Sequence, residues 1–189
     1  MPRLILAEGA DHPLHADARP LAATQILLNN FLSDFPSLAI SSDNVDRTAL
    51  EKAQRWSIRD VRRFMIVFDL VSTTFDLVAF FLLQKVFGAD EPVFQSAWFV
   101  VSLLTELVVV LLLRTTGPSC KSRPSRLLVS STIAVAGLAM MMPYLGPLVA
   151  AFGFVPLHLT LLMSMLAVVA AYAVATEASK AAFERIKPE

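Results

Sequence analysis

Asn30 and Asp34 are an amide and a carboxylate in a largely apolar part of the sequence. They lie near the middle of the apolar segment 24–46, with Asn29 and Ser33 beside them. A spacing of four residues places Asn30 and Asp34 on one face of a helix. A carboxylate at membrane depth costs about 3 kcal/mol or more, so it usually faces a partner, a cavity or an ion path. The segment therefore carries polar groups where a membrane tolerates few.

Pro36 lies two residues after Asp34. Proline has no N–H, so the carbonyl oxygen of Leu32 loses its helical partner. Side-chain oxygens beside a freed carbonyl, in a broken helix, are a common way for membrane transporters to bind cations. The combination points to ion transport. A second interpretation stays open, in which Asn30 and Asp34 join helices to one another within the membrane.

The composition is that of a polytopic membrane protein. The chain has 189 residues, of which 56% are hydrophobic, and a mean hydropathy of +0.61. A soluble domain is expected to be about 45–50% apolar. The net charge is zero, which gives no indication of nucleic-acid binding. Residues 1–19 lack the apolar run of a signal peptide, and we expect a disordered leader there.

The apolar runs predict an all-α fold of five transmembrane helices with the lipid bilayer as partner. The link between the last two spans is apolar and punctuated by proline and glycine, so it is expected in the interface or dipping into the bundle. Residues 186–189 are predicted to end a cytoplasmic tail. The predicted spans cover about 21–40, 64–87, 93–113, 127–142 and 157–176.

Charge predicts the orientation of the chain. Thirteen of the 16 basic residues fall in the first link, the third link and the C-terminal tail. The positive-inside rule places these segments in the cytoplasm and the N-terminus outside. An odd number of spans agrees with that assignment.

Three further carboxylates fall inside predicted spans. Asp69 and Asp76 are seven residues apart and share a face of the second span, while Glu106 lies midway along the third. These residues fit two interpretations: an acidic path for ions or protons, or interhelical hydrogen bonds, with Ser72, Thr73, Ser102 and Thr105 as available partners.

Taken in order, these segments resemble a known family. Over residues 20–185 the chain is similar to the C-terminal membrane region of P-type cation-transporting ATPases, and most like the bacterial magnesium-translocating subgroup. The resemblance implies helices six to ten of a ten-helix pump in the bacterial inner membrane. The segments that carry it are TQILLNNFLSD, SSDNVD, RWSIRDVRRFMIVF, STTFDLVAF and FQSAWFVVSLLTELVVVLLLRT.

The resemblance also implies roles for single residues. The family's sixth helix supplies cation ligands from an Asn and from an Asp four residues on, with a hydroxyl residue before the Asp in many relatives. Those roles fall on Asn30, Asp34 and Ser33, and Mg²⁺ is the implied transported ion. The chain departs from the magnesium subgroup at Ser33, where a Tyr is typical, and at Glu106, where a Gln is frequent.

The resemblance also shows which parts of a pump this sequence does not contain. It has no DKTGT phosphorylation loop and no TGE actuator motif. Phosphoryl transfer depends on positioned groups and magnesium around the nucleotide, so we expect no ATP hydrolysis by this chain alone and no bound cofactor. The expected function is that of a membrane-domain fragment of a magnesium or other divalent-cation transporter. The alternatives are a non-catalytic membrane subunit or scaffold that associates with a separately encoded ATPase core, and an inert gene remnant.

Overall fold

The fold consists of helices alone in the part of the chain that the computed structural model describes, residues 23–43, 58–114, 124–146 and 149–186. The expected all-α class is confirmed. The predicted leader over 1–19 lies outside these residues, as do 187–189 of the predicted tail. We number the α-helices in chain order: α1 Ala23–Ala39, α2 Ile58–Phe81, α3 Glu91–Leu113, α4 Arg126–Met141 and α5 Leu159–Ile186.

Four helical segments, rather than the five predicted, are long and apolar enough to cross a membrane among the described residues. The exception is α1, which has 17 residues. Its first residue, Ala23, is also the first residue that the structure describes, so any earlier part of this segment lies outside the described ranges. The four segments are Val61–Val86, Glu91–Leu113, Arg126–Tyr144 and Leu159–Phe183.

The helix starts follow from local sequence signals. Before α3, Asp90 has an extended backbone with ψ of 159°, Glu91 adds an acidic residue to the first turn, and Pro92 supports the helical start. Before α4, the Ser125 hydroxyl accepts a hydrogen bond from the backbone N–H of Leu128 at 3.2 Å. This contact satisfies one of the N–H groups that a helix start leaves without an internal partner.

The last helix extends beyond its predicted end at residue 176. It continues as α5 to Ile186, past the point where charged residues begin. Lys180 is buried there, and its Nζ donates a hydrogen bond to the carbonyl oxygen of Leu112 near the end of α3, at 2.8 Å. A cation is favourable beside the C-terminal carbonyls of a helix, which allows a charged residue in a packed position.

The bundle is organised around α3. This helix packs against α1, α4 and α5, whereas α2 packs chiefly against α5. Fully buried residues of α3, among them Phe99, Val100 and Leu103, form the centre of the core. Most of α2 is exposed on the surface of the described bundle, as a lipid-facing helix would be.

The link between α4 and α5 packs into the bundle, in agreement with its apolar composition. Phe154 is buried and its ring meets that of Phe99 at a centroid distance of 4.8 Å. The backbone N–H of Val155 donates to the Ser96 hydroxyl of α3 at 3.0 Å. Gly153 has a φ of +74°, a left-handed conformation that glycine adopts at little cost. The link is therefore a packed element.

Candidate cation site

The predicted ligands lie on two different faces of α1. Asn30 and Asp34 are both exposed on the described bundle, whereas Ser33 is buried with 5% of its surface accessible. Each helical residue is rotated by about 100° from the one before it, so Ser33 cannot share the face of Asp34. The structure brings Asn30 and Asp34 onto one face and does not place Ser33 with them.

Pro36 does not break the helix. It is buried inside α1, which continues to Ala39. The expectation of a broken helix at this position is therefore wrong: the chain is helical on both sides of the proline, which removes only the N–H that would bond to the Leu32 carbonyl. Two hydroxyls bond to carbonyls of the same stretch: Ser37 donates to the Ser33 carbonyl at 2.9 Å, and Ser33 donates to the Asn30 carbonyl at 3.0 Å.

A second polar face of α1 points towards the bundle. Gln25 has no accessible surface, and its Nε2 donates to the carbonyl oxygen of Phe152 in the packed link at 2.9 Å. One turn on, Asn29 Nδ2 donates to Glu106 Oε2 of α3 at 3.3 Å. Sequence reasoning missed Gln25 and gave Asn29 no role. The signal was present, because these two residues have the same four-residue spacing as Asn30 and Asp34.

The Asn29 contact identifies the partner of Glu106. An interhelical hydrogen bond was one of the two interpretations of this carboxylate, and the structure contains one. The predicted hydroxyl partner Thr105 instead bonds to the carbonyls of Val101 and Ser102 in its own helix. Glu106 therefore links α3 to α1.

Asp69 and Asp76 lie on the outer surface of α2. Both are exposed, and within the described ranges neither carboxylate has a hydrogen-bond partner. The structure does not bring them near the Asn30 and Asp34 pair through any described contact. Their seven-residue spacing does place them on one face, as predicted.

An ion pair lies where three helix ends meet. Arg114 Nη1 and Asp43 Oδ2 are 2.6 Å apart, with side-chain exposures of 4% and 9%. Asp43 Oδ1 also accepts a hydrogen bond from the backbone N–H of Ser125, at 2.7 Å. Asp43 belongs to the SSDNVD segment; the remainder of that segment, residues 44–46, lies outside the described residues.

The described side chains do not form a complete metal shell. No cluster of three or more His, Cys, Asp or Glu residues occurs within the described ranges. Mg²⁺ requires near-octahedral oxygen coordination at about 2.0–2.1 Å and usually keeps several waters. Asn30 and Asp34 contribute two side chains with oxygens of the right type. Any site for a transported cation at this face needs further ligands from water or from other helices.

Four long apolar helices and a polar first helix are the features of a polytopic membrane protein with polar groups inside its bundle. The chain belongs to the family described as cation transporting ATPase, C-terminus, which matches residues 18–182. This confirms the resemblance that the sequence suggested.

Curated relatives give the comparison in more detail. The chain is 33% identical over 171 residues to the magnesium-transporting ATPase, P-type 1, of Salmonella typhimurium strain 14028s, covering 88% of the chain and 19% of the relative. It is 34% identical over 174 residues to the protein of the same name from Escherichia coli K12, with the same coverage. The chain therefore spans about a fifth of the length of these relatives.

Proposed function

We propose that this chain is the membrane-domain part of an ATP-driven transporter of magnesium or another divalent cation. The observation that carries the proposal is the exposed Asn30 and Asp34 face of α1 in a member of this family. A carboxylate and an amide at membrane depth require a polar partner, and a partly dehydrated cation is one that both oxygens fit. Asn30 and Asp34 coordinate the transported ion.

Ser33 has an assisting role in this proposal. Its hydroxyl donates to the Asn30 carbonyl at 3.0 Å, and the side chain is buried rather than on the ligand face. It therefore supports the backbone beside Asn30. A rotation of α1 would move all three side chains together, so Ser33 assists through the backbone and not as a ligand on the same face.

The five helices correspond, in this proposal, to helices six to ten of the pump. The basic links and tail lie in the cytoplasm and the N-terminus lies outside, in a bacterial inner membrane. The phosphorylation, nucleotide-binding and actuator domains, and the membrane helices that complete the ion site, belong to the rest of the transporter. ATP hydrolysis takes place there, and this chain contributes ion ligands and a scaffold.

A chimera tests this function. Residues 20–185 replace the matching region of the E. coli magnesium-transporting ATPase, P-type 1, in a host that depends on it for growth at low magnesium. We expect growth from the chimera and its loss on Asp34→Asn, because a neutral side chain holds a divalent cation far less strongly. Asp69→Asn, on another helix, is the matched control and should leave growth unchanged. Growth of the Asp34→Asn chimera equal to that of the unmodified chimera would contradict the assignment of the site.

A second candidate function is that of a non-catalytic membrane subunit bound to a separately encoded pump. The exposed Asp69 on α2 favours it, because a carboxylate facing lipid is costly and a neighbouring helix would relieve that cost. Glu106 is not available for this purpose, since it bonds to Asn29. Co-purification of a protein containing DKTGT, lost on Asp69→Leu, would support a subunit; a stable monomer from native membranes would argue against it.

A further inference from the structure

Asp43 contacts the ends of three helices. Its backbone N–H donates to the Ile40 carbonyl at 2.9 Å, within the 3₁₀ turn Ile40–Ser42 that follows α1 directly. Its side chain binds Arg114, which follows the last residue of α3, and the N–H of Ser125, which precedes α4. The backbone of Asp43 is thus tied to α1, and its carboxylate to α3 and α4.

The dipoles of α3 and α4 favour both charges of this contact, whereas that of α1, which ends just before Asp43, opposes the carboxylate. Arg114 is at the C-terminal end of α3, where the dipole is negative, and the Asp43 carboxylate is at the N-terminal end of α4, where it is positive. Charge-assisted hydrogen bonds of this kind are shorter and stronger than neutral ones. The contacts with Arg114 at the end of α3 and with Ser125 at the start of α4 therefore fix where the Asp43 carboxylate is most stable.

The position of Asp43 is transmitted along α1 to the ligand face. From Asp34 to Ala39 the chain is α-helical, and the 3₁₀ turn continues without an extended residue up to Asp43. The hydroxyl of Ser37, bonded to the Ser33 carbonyl, supports the stretch around Pro36. A displacement of Asp43 along the helix axis therefore displaces Asp34 as well.

We propose that Asp43 is a positioning residue that sets the depth of α1 in the bundle, and with it the depth of the Asn30 and Asp34 face, by binding Arg114 and Ser125 at once. The inference rests on the proposed function for its meaning, since the depth of that face matters if it holds an ion. It goes beyond that function by assigning the control of ligand position to a residue that is not a ligand.

Spin-label depth measurements test this proposal on the full chain in proteoliposomes. A single label is attached at Phe31→Cys, on the exposed face of α1, in a Cys120→Ser background; reference labels are placed at Leu138→Cys on α4 and Val174→Cys on α5. Asp43→Asn should shift the label at position 31 by roughly 1.5 Å or more, the rise of one helical residue, while both reference labels keep their depth. Asp90→Asn, an exposed carboxylate in another loop, is the matched control and should move none of them.

Arg114→Lys provides a second variant if Asp43→Asn does not fold, because it keeps the charge and loses the planar fork of the guanidinium. The same selective shift at position 31 supports the proposal. An unchanged depth at position 31 overturns it, and so does equal movement of all three labels. These results are independent of the chimera test, since neither Asp34 nor transport enters the measurement.

Discussion

Asn29 and Asn30 are neighbours in the sequence and have different surroundings in the structure. Asn29 donates a hydrogen bond to Glu106 of α3, while Asn30 is exposed beside Asp34. Four-residue spacing predicted a polar face on α1 but could not identify which face points to the bundle. The reason is physical: lipid and protein core both favour apolar residues, so exposed Leu27 and Phe31 do not differ in type from buried Leu32.

The Asn29 and Glu106 contact can be measured by a double-mutant cycle with Asn29→Ala and Glu106→Ala. We expect a coupling free energy of about 0.6 kcal/mol, the average for hydrogen bonds between membrane helices. The measurement is reversible unfolding in detergent micelles. The same cycle with Asn30→Ala is the control and should give a coupling near zero. Equal couplings for the two asparagines would show that the bond does not contribute to stability.

At the level of the elements, the sequence predicted α3 and α4 closely, because long apolar runs with clear start signals leave little choice of structure. In contrast, α2 is already helical at Ile58, before its predicted start at residue 64. The prediction also ended the last helix too early, whereas the predicted start of the first span at residue 21 lies outside the described ranges. Apolar composition marks where a chain is stable in lipid, whereas a helix ends where its backbone hydrogen bonds end. Lys180 illustrates the difference: it is charged, yet it lies within α5 with its Nζ donating a hydrogen bond to the carbonyl oxygen of Leu112.

The link between α4 and α5 gives a prediction at this scale. Ser96→Ala removes the acceptor of the Val155 N–H, and leaving such a group without a partner costs about 1–3 kcal/mol. We expect the exchange protection of the Val155 amide to fall by roughly tenfold, the change that corresponds to about 1.4 kcal/mol. Hydrogen exchange measured by mass spectrometry over residues 149–158 reports this change.

Ser164→Ala is the matched control for that experiment. Its hydroxyl bonds to the Thr160 carbonyl within the same helix, at 2.8 Å, and the substitution should change stability by no more than about 0.5 kcal/mol. If both variants leave exchange in the link unchanged, the Ser96 contact does not hold the link against α3.

In the whole molecule, α3 lies at the centre of the bundle. Helix α1 packs against α3 and α4, and α2 packs chiefly against α5. The order of the helices could be read from the sequence, but the central position of α3 could not, since α2 is nearly as apolar. The positive-inside count still predicts which ends of the helices face the cytoplasm.

The native Cys120 permits a direct measurement of that orientation. Because it lies in the basic third link, an impermeant thiol reagent should leave it unlabelled in intact spheroplasts and label it after permeabilisation. The control carries Tyr144→Cys in a Cys120→Ser background, at the opposite end of α4, and should label in intact spheroplasts. Labelling of Cys120 from outside would reverse the proposed topology.

The pairing of α2 with α5 has a consequence for biosynthesis. The partner of α2 emerges from the ribosome roughly 80 residues later, which at about 5–20 residues per second is a delay of about 4–16 s. During that interval α2 resides in the bilayer without its packing partner and with two carboxylates on one face. Newly made chains thus pass through a stage that membrane chaperones and proteases can recognise, and the rate of translation through residues 82–158 sets how long it lasts.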